Sequence, residues 1–378
     1  MYMSGVFPHS RCLGSHKTAQ SIVFLCLLAP IIFAILTLEL SPAAAGGGGV
    51  CTLKSLGTFG NTVVDVVGNA AASATSQVEY NCRSSIKFNS IQFCTYIQAA
   101  DGNQANSQAG STFYQARDAN AHLAWQMRLQ NGGDMPVGKY GSTRSTVGWT
   151  HYTNWSPSNQ STIASQQLTL TYLDRQQQDR VKAGVYSNAY QLVTQYKFNT
   201  GTPASSCSSG IADPDGTIFS NFMTTANVTK NCQLENFQDI DFGNQNGLEF
   251  TSRGAGQFRA YGNVGIRCTY QTPYKISINS GNNPENGVAR LKSDNNFLPY
   301  KLLQAGCKAA WDDKNVLSGN GNTVNIVDNH QVCAEIITPL AIAPAPGIYI
   351  DTVIVTASNI ALDSVAKLLA FQGWSCPP

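Results

Sequence analysis

The chain has 378 residues, room for two or three domains. Hydrophobic residues make up 43%, which excludes wholesale disorder, and charged residues only 12%, about half of the roughly 25% usual in globular domains. A formal net charge of +2 excludes an electrostatic footprint for nucleic acid, and five histidines leave little material for acid–base or metal chemistry.

In chain order, Arg11 and Lys17 precede an uncharged apolar run from Ile22 to Leu38, and small residues follow at Ser41-Pro-Ala-Ala-Ala45. This reads as a secretory signal over residues 1–45, cleaved after Ala45. The rival is an uncleaved anchor, since the run is borderline in length for a span. Pro30 within the run and the small-residue exit favour cleavage. Cleavage there leaves only Gly46-Gly-Gly-Gly-Val50 before Cys51, a poor strand former. Cys12 and Cys26 leave with the signal, so 11 less two gives nine cysteines in an oxidising compartment. They read first as disulfides, with one left over.

The remaining chain is a degenerate duplication. One half opens at Cys51, followed by Phe59-Gly60 and the alternation Val78-x-Tyr80-x-Cys82; the other opens at Cys232, followed by Phe242-Gly243 and Val264-x-Ile266-x-Cys268. Then come Ala116-Arg117, Leu123-Ala-Trp125 and Trp149, against Ala289-Arg290, Leu298-Pro-Tyr300 and Trp311. The halves close on Ala183-Gly-Val-Tyr186 through Thr194 and on Pro346-Gly-Ile-Tyr349 through Thr356. In the first closing phrase Tyr186, Tyr190, Leu192, Tyr196 and Phe198 fall on one face of a half-buried strand, with Ser187, Gln191, Gln195 and Lys197 on the other. Gly- and Asn-rich breaks recur, and no segment between the signal and residue 359 sustains a helical period. The expectation is an all-β chain of two Ig-like antiparallel β-sandwiches, over 46–200 and 217–358, joined by a linker at 201–216. The repeat pairs Cys51 with Cys82 and Cys232 with Cys268, each tying an opening strand to the next core strand. Cys307 and Cys333 form a plausible third pair; Cys94, Cys207 and Cys376 stay unassigned.

Taken together, Cys232…Asp241-Phe-Gly243, Val264-x-Ile-x-Cys268, Tyr274-Lys-Ile-Ser-Ile-Asn-Ser-Gly-Asn-Asn283, Ala289-Arg290…Tyr300, Trp311 and Pro346-Gly-Ile-Tyr-Ile-Asp-Thr-Val353 resemble the spore-coat-protein-U-type domain of archaic chaperone–usher pilus subunits. The resemblance implies that the C-terminal sandwich is an incomplete pilin fold lacking its final strand. A periplasmic chaperone lends that strand, the outer-membrane usher handles assembly, and the adjacent pilin subunit then donates its own strand, a form of β-strand addition. Two such domains on one chain look like a tip adhesin at the cell surface, acting in attachment and biofilm formation with no cofactor and no enzymatic role. Ile218, Phe222, Ala226 and Val228 alternate with polar residues just before Cys232. That segment is either a donor strand completing the first domain or the opening strand of the second.

The first half would carry adhesion to an abiotic or host surface. Its candidate residues are Met135, Pro136, Val137 and Tyr140 in one Gly-rich loop, and Tyr152 and Trp155 in another. An apolar contact patch, an aromatic platform for glycans, and plain loop packing are the competing uses; Trp149 is read as core. A free secreted glycan-binding sandwich protein is the alternative function. His122, His151 and His330 sit in no catalytic or metal-ligating spacing, and Asp213-Pro-Asp-Gly216 is read as a turn because it lacks the further ligands of a calcium loop. The tail, 359–378, departs from the family pattern. Leu362, Val365, Leu368 and Leu369 lie at helical spacing, so it is read as a short helix over the sandwich edge or as a segment without a selected role.

Overall fold

The computed structural model describes residues 48–99, 107–108, 111–118, 121–130, 136–139, 147–157, 159–202, 207, 210–211, 213–359 and 362–372. The expected signal segment therefore lies outside the described residues. Alternating apolar residues between Gly- and Asn-rich turns give strands almost throughout. The first sandwich holds β1 (Gly49–Leu56), β2 (Asn61–Val64), β3 (Ala72–Ser84), β4 (Ser90–Ala99), β5 (Ser107–Gln108), β6 (Thr112–Asp118), β7 (Ala121–Leu129), β8 (Gly138–Lys139), β9 (Val147–Tyr152), β10 (Ser161–Tyr172), β11 (Gly184–Asn199) and β12 (Gly216–Val228). The second holds β13 (Cys232–Gln238), β14 (Ile240–Asp241), β15 (Arg259–Cys268), β16 (Pro273–Ile278), β17 (Ala289–Ser293), β18 (Asn296–Leu303), β19 (Leu317–Asn320), β20 (Asp328–Ile336), β21 (Asp351–Asn359) and β22 (Leu362–Gln372).

Sheet β1-β3-β10-β7-β6-β5 faces sheet β2-β12-β11-β4-β8, with β9 added against β4; sheet β13-β15-β20-β18-β17 faces sheet β14-β22-β21-β16-β19. The duplication is thus one of topology. Cys51 lies opposite Cys82 across β1 and β3, and Cys232 opposite Cys268 across β13 and β15; both pairs are disulfide-bonded. Cys307 bonds Cys333, and Cys94 bonds Cys207.

Each core is aromatic. Trp149 stacks on Phe93 at 4.2 Å between ring centroids, and the buried Tyr80 hydroxyl meets Thr194 Oγ1 at 2.8 Å. Trp311 is buried in the second core and donates from Nε1 to Ile276 O at 2.9 Å. The face of β11 reads as expected, with Tyr186, Tyr190, Leu192 and Tyr196 in the core and Phe198 packed against it. Its opposite face is also covered at Val193, where Cys94, Tyr96, Cys207 and Ile211 form a small satellite core.

One pole of the first sandwich docks on the second. Asn231 Nδ2 donates to Asp65 Oδ2 at 2.8 Å, and the Tyr270 and Val324 amides donate to Val181 O and Asp179 O at 2.9 and 3.1 Å. Val324, from the loop before β20, is fully buried with the first core. Glu235 accepts from Arg267 Nε and Nη2 at 3.1 and 3.2 Å and from Arg175 Nη1 at 3.1 Å.

Candidate functional site

Both sandwiches share one feature that sequence patterning alone does not assign, an inserted strand. A sandwich whose opening and closing strands do not meet leaves a row of backbone N–H and C=O groups unpaired, and some strand must take the slot.

In the first sandwich the slot lies between β11 and β2, and β12 fills it. β12 runs antiparallel to β11 from Gly184↔Val228 to Tyr196↔Gly216 and parallel to β2 from Thr225↔Asn61 to Val228↔Val64. Of the two roles open to this segment, the pairing is therefore that of a donor strand to the first domain. Its inward row is Ile218, Ser220, Phe222, Thr224, Ala226 and Val228, all buried. Phe222 packs against Phe59 and Tyr190 at 5.6 and 5.7 Å between centroids. Thr224 Oγ1 accepts from the side-chain amide of Gln115, a fully buried residue of β6 in the facing sheet. A buried polar pair of this kind fixes register, because a one-residue slip would strand both groups. Burial holds the neighbouring phenols neutral: Tyr172 is pushed up to about 12, and Tyr80 and Tyr190 are pushed higher still.

In the second sandwich the equivalent slot lies between β21 and β14. The expectation that it stands open is corrected by the chain's own tail. β22 runs antiparallel to β21, from Asp351↔Phe371 to Ala357↔Val365, and parallel to β14 at Ile240↔Phe371 and Asp241↔Gln372. The tail is thus a strand and not the expected helix. Its apolar spacing suits either, and the unpaired edges of β21 and β14 decide between them. Closing the hairpin costs little chain entropy, since Asn359 already pairs with Leu362. On β21 the buried row is Asp351, Val353, Val355 and Ala357. Asp351 is anchored there, accepting from Tyr300 Oη at 2.8 Å and from the Asn282 amide at 2.9 Å.

Among the described residues, the candidates Pro136, Val137, Tyr152 and Trp155 do not gather into one patch. Met135 and Tyr140 lie outside the described residues. Val137 is a correction: the Gly-rich surroundings suggest an exposed loop, but its amide donates to Met127 O at 2.7 Å and its side chain is fully buried in the first core. Pro136 bridges to Arg128 beside it. Tyr152 is 73% exposed. Trp155 is half-buried, packs against the core and donates from Nε1 to Ser84 O at 3.2 Å. The pairings Gly49↔Ser84, Ser161↔Arg83 and Ser90↔Tyr152 put these two aromatics, with exposed Ile86, at the pole away from the second sandwich. Of the histidines, Nε2 of His151 meets Thr162 Oγ1 at 2.9 Å and Nε2 of His330 meets the Tyr274 hydroxyl at 2.8 Å; burial lowers the pKa of both. Among the described residues no group of three or more His, Cys, Asp or Glu could hold a metal ion, and no helix is long and apolar enough to cross a membrane. The Cys94–Cys207 bond was not legible; its one signal is β4 itself, where Cys94 and Tyr96 add apolar residues to the face opposite Phe93. Cys376 lies outside the described residues.

Residues 218–356 match the family described as the Spore Coat Protein U domain. Its match begins within β12, so the segment that leads into the Spore Coat Protein U domain in sequence is the strand that completes the preceding sandwich in space. Among solved structures, the chain is similar to one in the CsuC–CsuE chaperone–tip adhesion subunit pre-assembly complex of Acinetobacter baumannii, at 18% identity and TM-score 0.42, covering 82% of this chain and 100% of that one. It is also similar to the CupB6 tip adhesin of Pseudomonas aeruginosa, at 10% identity and TM-score 0.34, covering 86% and 98%. A third likeness is to CfaE, the adhesive subunit of CFA/I fimbria of enterotoxigenic Escherichia coli, at 13% identity and TM-score 0.32, covering 75% and 88%. No curated protein matches the chain.

Proposed function

We propose that the chain is a tip adhesin subunit of an archaic chaperone–usher pilus, exported through the periplasm to the cell surface, where it mediates attachment and biofilm formation. The observation that carries this reading is the strand slot between β21 and β14 in a Spore Coat Protein U domain. In this structure β22 takes that slot as β12 takes the equivalent one in the first sandwich, and the reading holds that a strand of another subunit takes it in the pilus. The distal pole of the first sandwich carries Tyr152 and Ile86 into solvent. The periplasmic chaperone, the usher and the adjacent pilin subunit are the partners this reading assigns. The chemistry at the β21 edge is main-chain hydrogen bonding along an apolar row, so no catalytic role is assigned.

Co-expression with an archaic-class periplasmic chaperone tests the reading. Residues 46–359, which lack β22, are expected to co-purify with the chaperone. A chain that is soluble and monomeric alone and ignores the chaperone would refute it. Attachment has its own test: Tyr152→Ser should lower attachment to hydrophobic plastic several-fold while changing stability by about 0.5 kcal/mol or less, as for an exposed residue. Unchanged attachment would move the adhesive surface elsewhere. A free secreted glycan binder is the second reading, favoured by one observation: both strand slots are occupied by the chain's own residues.

A further inference from the structure

A cavity of about 540 Å³ opens at the distal pole of the first sandwich, where β1 and β10 begin and β3 ends. Its wall includes Gly48, Gly49, Arg83, Ser85, Gln160 and Ser161. Arg83 lies opposite Val50 on β1 and opposite Ser161 on β10, so the three side chains share one face of the sheet. Cys82 and Ser84, on either side of Arg83, are buried, so that face is the outer one. The next row along it is Thr52, Asn81 and Ile163. A Cβ on Gly48 would lie 2.0 Å from the Ile86 side chain, and one on Gly49 would lie 2.6 Å from the Phe198 ring, so only glycine lets β1 start this close to both.

Arg83 is exposed, and its guanidinium has no hydrogen-bond or ion-pair partner among the described residues. Nor does the wall hold a carboxylate among the described residues. The acid on the same face of β3, Glu79, is about 13 Å along the strand, and Lys54 Nζ already holds it at 3.1 Å. The guanidinium is therefore open to an anion from outside. Around it, the hydroxyls of Ser85 and Ser161 make no hydrogen bond with a described residue, and Gln160 donates from Nε2 to Pro157 O at 3.3 Å, which leaves its Oε1 to accept. Val50 is the one apolar side chain of the described wall, so a hydrocarbon surface finds little to hold there. Hydroxyls and amides grouped round a cation match the ring hydroxyls of a charged sugar, and the volume suits a small organic ligand better than a lone inorganic anion. We propose that this cavity binds a saccharide unit carrying an anionic group, carboxylate or sulfate, with Arg83 on the anion and Ser85, Gln160 and Ser161 on the hydroxyls. Its role as a receptor site in attachment rests on the adhesin reading above; the sugar binding does not. Tyr152 belongs to the other sheet, where it pairs with Ser90, so apolar attachment and sugar recognition can be read separately.

The test is calorimetric titration of the full mature chain, residues 46–378, with three probes: tetragalacturonate, a sulfated galactotetraose and neutral galactotetraose. At least one acidic sugar is expected to bind about tenfold or more tighter than the neutral one, and the tighter of the two names the anion. Arg83→Gln should lower that affinity about tenfold or more while leaving the urea unfolding midpoint in place, because the side chain is exposed. Lys87→Gln removes an exposed cation of the same pole that lies outside the described wall, and should change the affinity by about twofold or less. Equal affinity for all three sugars, binding of none, an unchanged affinity in Arg83→Gln, or an equal loss in Lys87→Gln overturns the proposal. Pili that attach to plastic through Tyr152 while the purified chain ignores all three sugars would keep the adhesin reading and sink the site. A chain that binds an acidic sugar through Arg83 but is never recovered with the chaperone would keep the site and sink the adhesin reading.

Discussion

The two inserted strands solve one problem with connections of very different length. β12 pairs along its whole length with β11, buries six alternate residues and adds a polar pin, Thr224 to Gln115, that admits a single register. Its linker is itself tethered, because Cys207 bonds Cys94 on β4. β22 follows β21 directly, with Asn359 paired to Leu362, and lies between β21 and β14. The lesson is that the same slot can be filled by a strand on a long tethered linker or by one on a tight hairpin.

The largest expected effect lies at the committed strand. Phe222→Ala should destabilise the first sandwich by about 3–5 kcal/mol in urea unfolding, as for other buried aromatic truncations, whereas Leu369→Ala in β22 should leave that transition unmoved. If both variants shift the same transition equally, the two sandwiches unfold as one and the contrast is lost. Next comes alkaline pH. Tyr172 is raised to about 12 by burial, and its unfolded value is near 10, so the folded state holds a proton that the unfolded state has already lost between those limits. Stability from this group is full below about pH 10 and falls as pH rises toward 12. Tyr80 and Tyr190 are pushed the same way in the first sandwich, and Tyr274 and Tyr300 in the second. The first sandwich should therefore lose more stability per pH unit, read by separate fluorescence and urea transitions. Thr224→Val, which keeps shape and removes the acceptor for Gln115, should cost about 1–3 kcal/mol.

How much of this was legible follows from which contacts are local. The alternation in Val78-x-Tyr80-x-Cys82 and Val264-x-Ile266-x-Cys268, repeated in order with its cysteines, carried the strands, the duplication and two disulfides, because a half-buried strand writes its period into neighbouring residues. What stayed illegible depends on partners far along the chain. The alternation of Ile218 to Val228 declared a strand but not the sandwich it joins, since that is settled by β11 and β2. The tail was misread because Leu362, Val365, Leu368 and Leu369 satisfy a helix as well as a strand, and only the open edges of β21 and β14 break the tie. Val137 was misread because its glycine neighbours signal a loop while its partner, Met127, lies on a strand before it.

Hydrogen–deuterium exchange on the full chain, comparing amides 186–194 of β11 with amides 353–357 of β21, tests the central claim most directly. The account predicts slow exchange in both stretches, and a selective acceleration of 353–357 by at least about tenfold once residues 362–372 are removed. Exchange at 353–357 that is already fast in the full chain, or that ignores the removal, would contradict it.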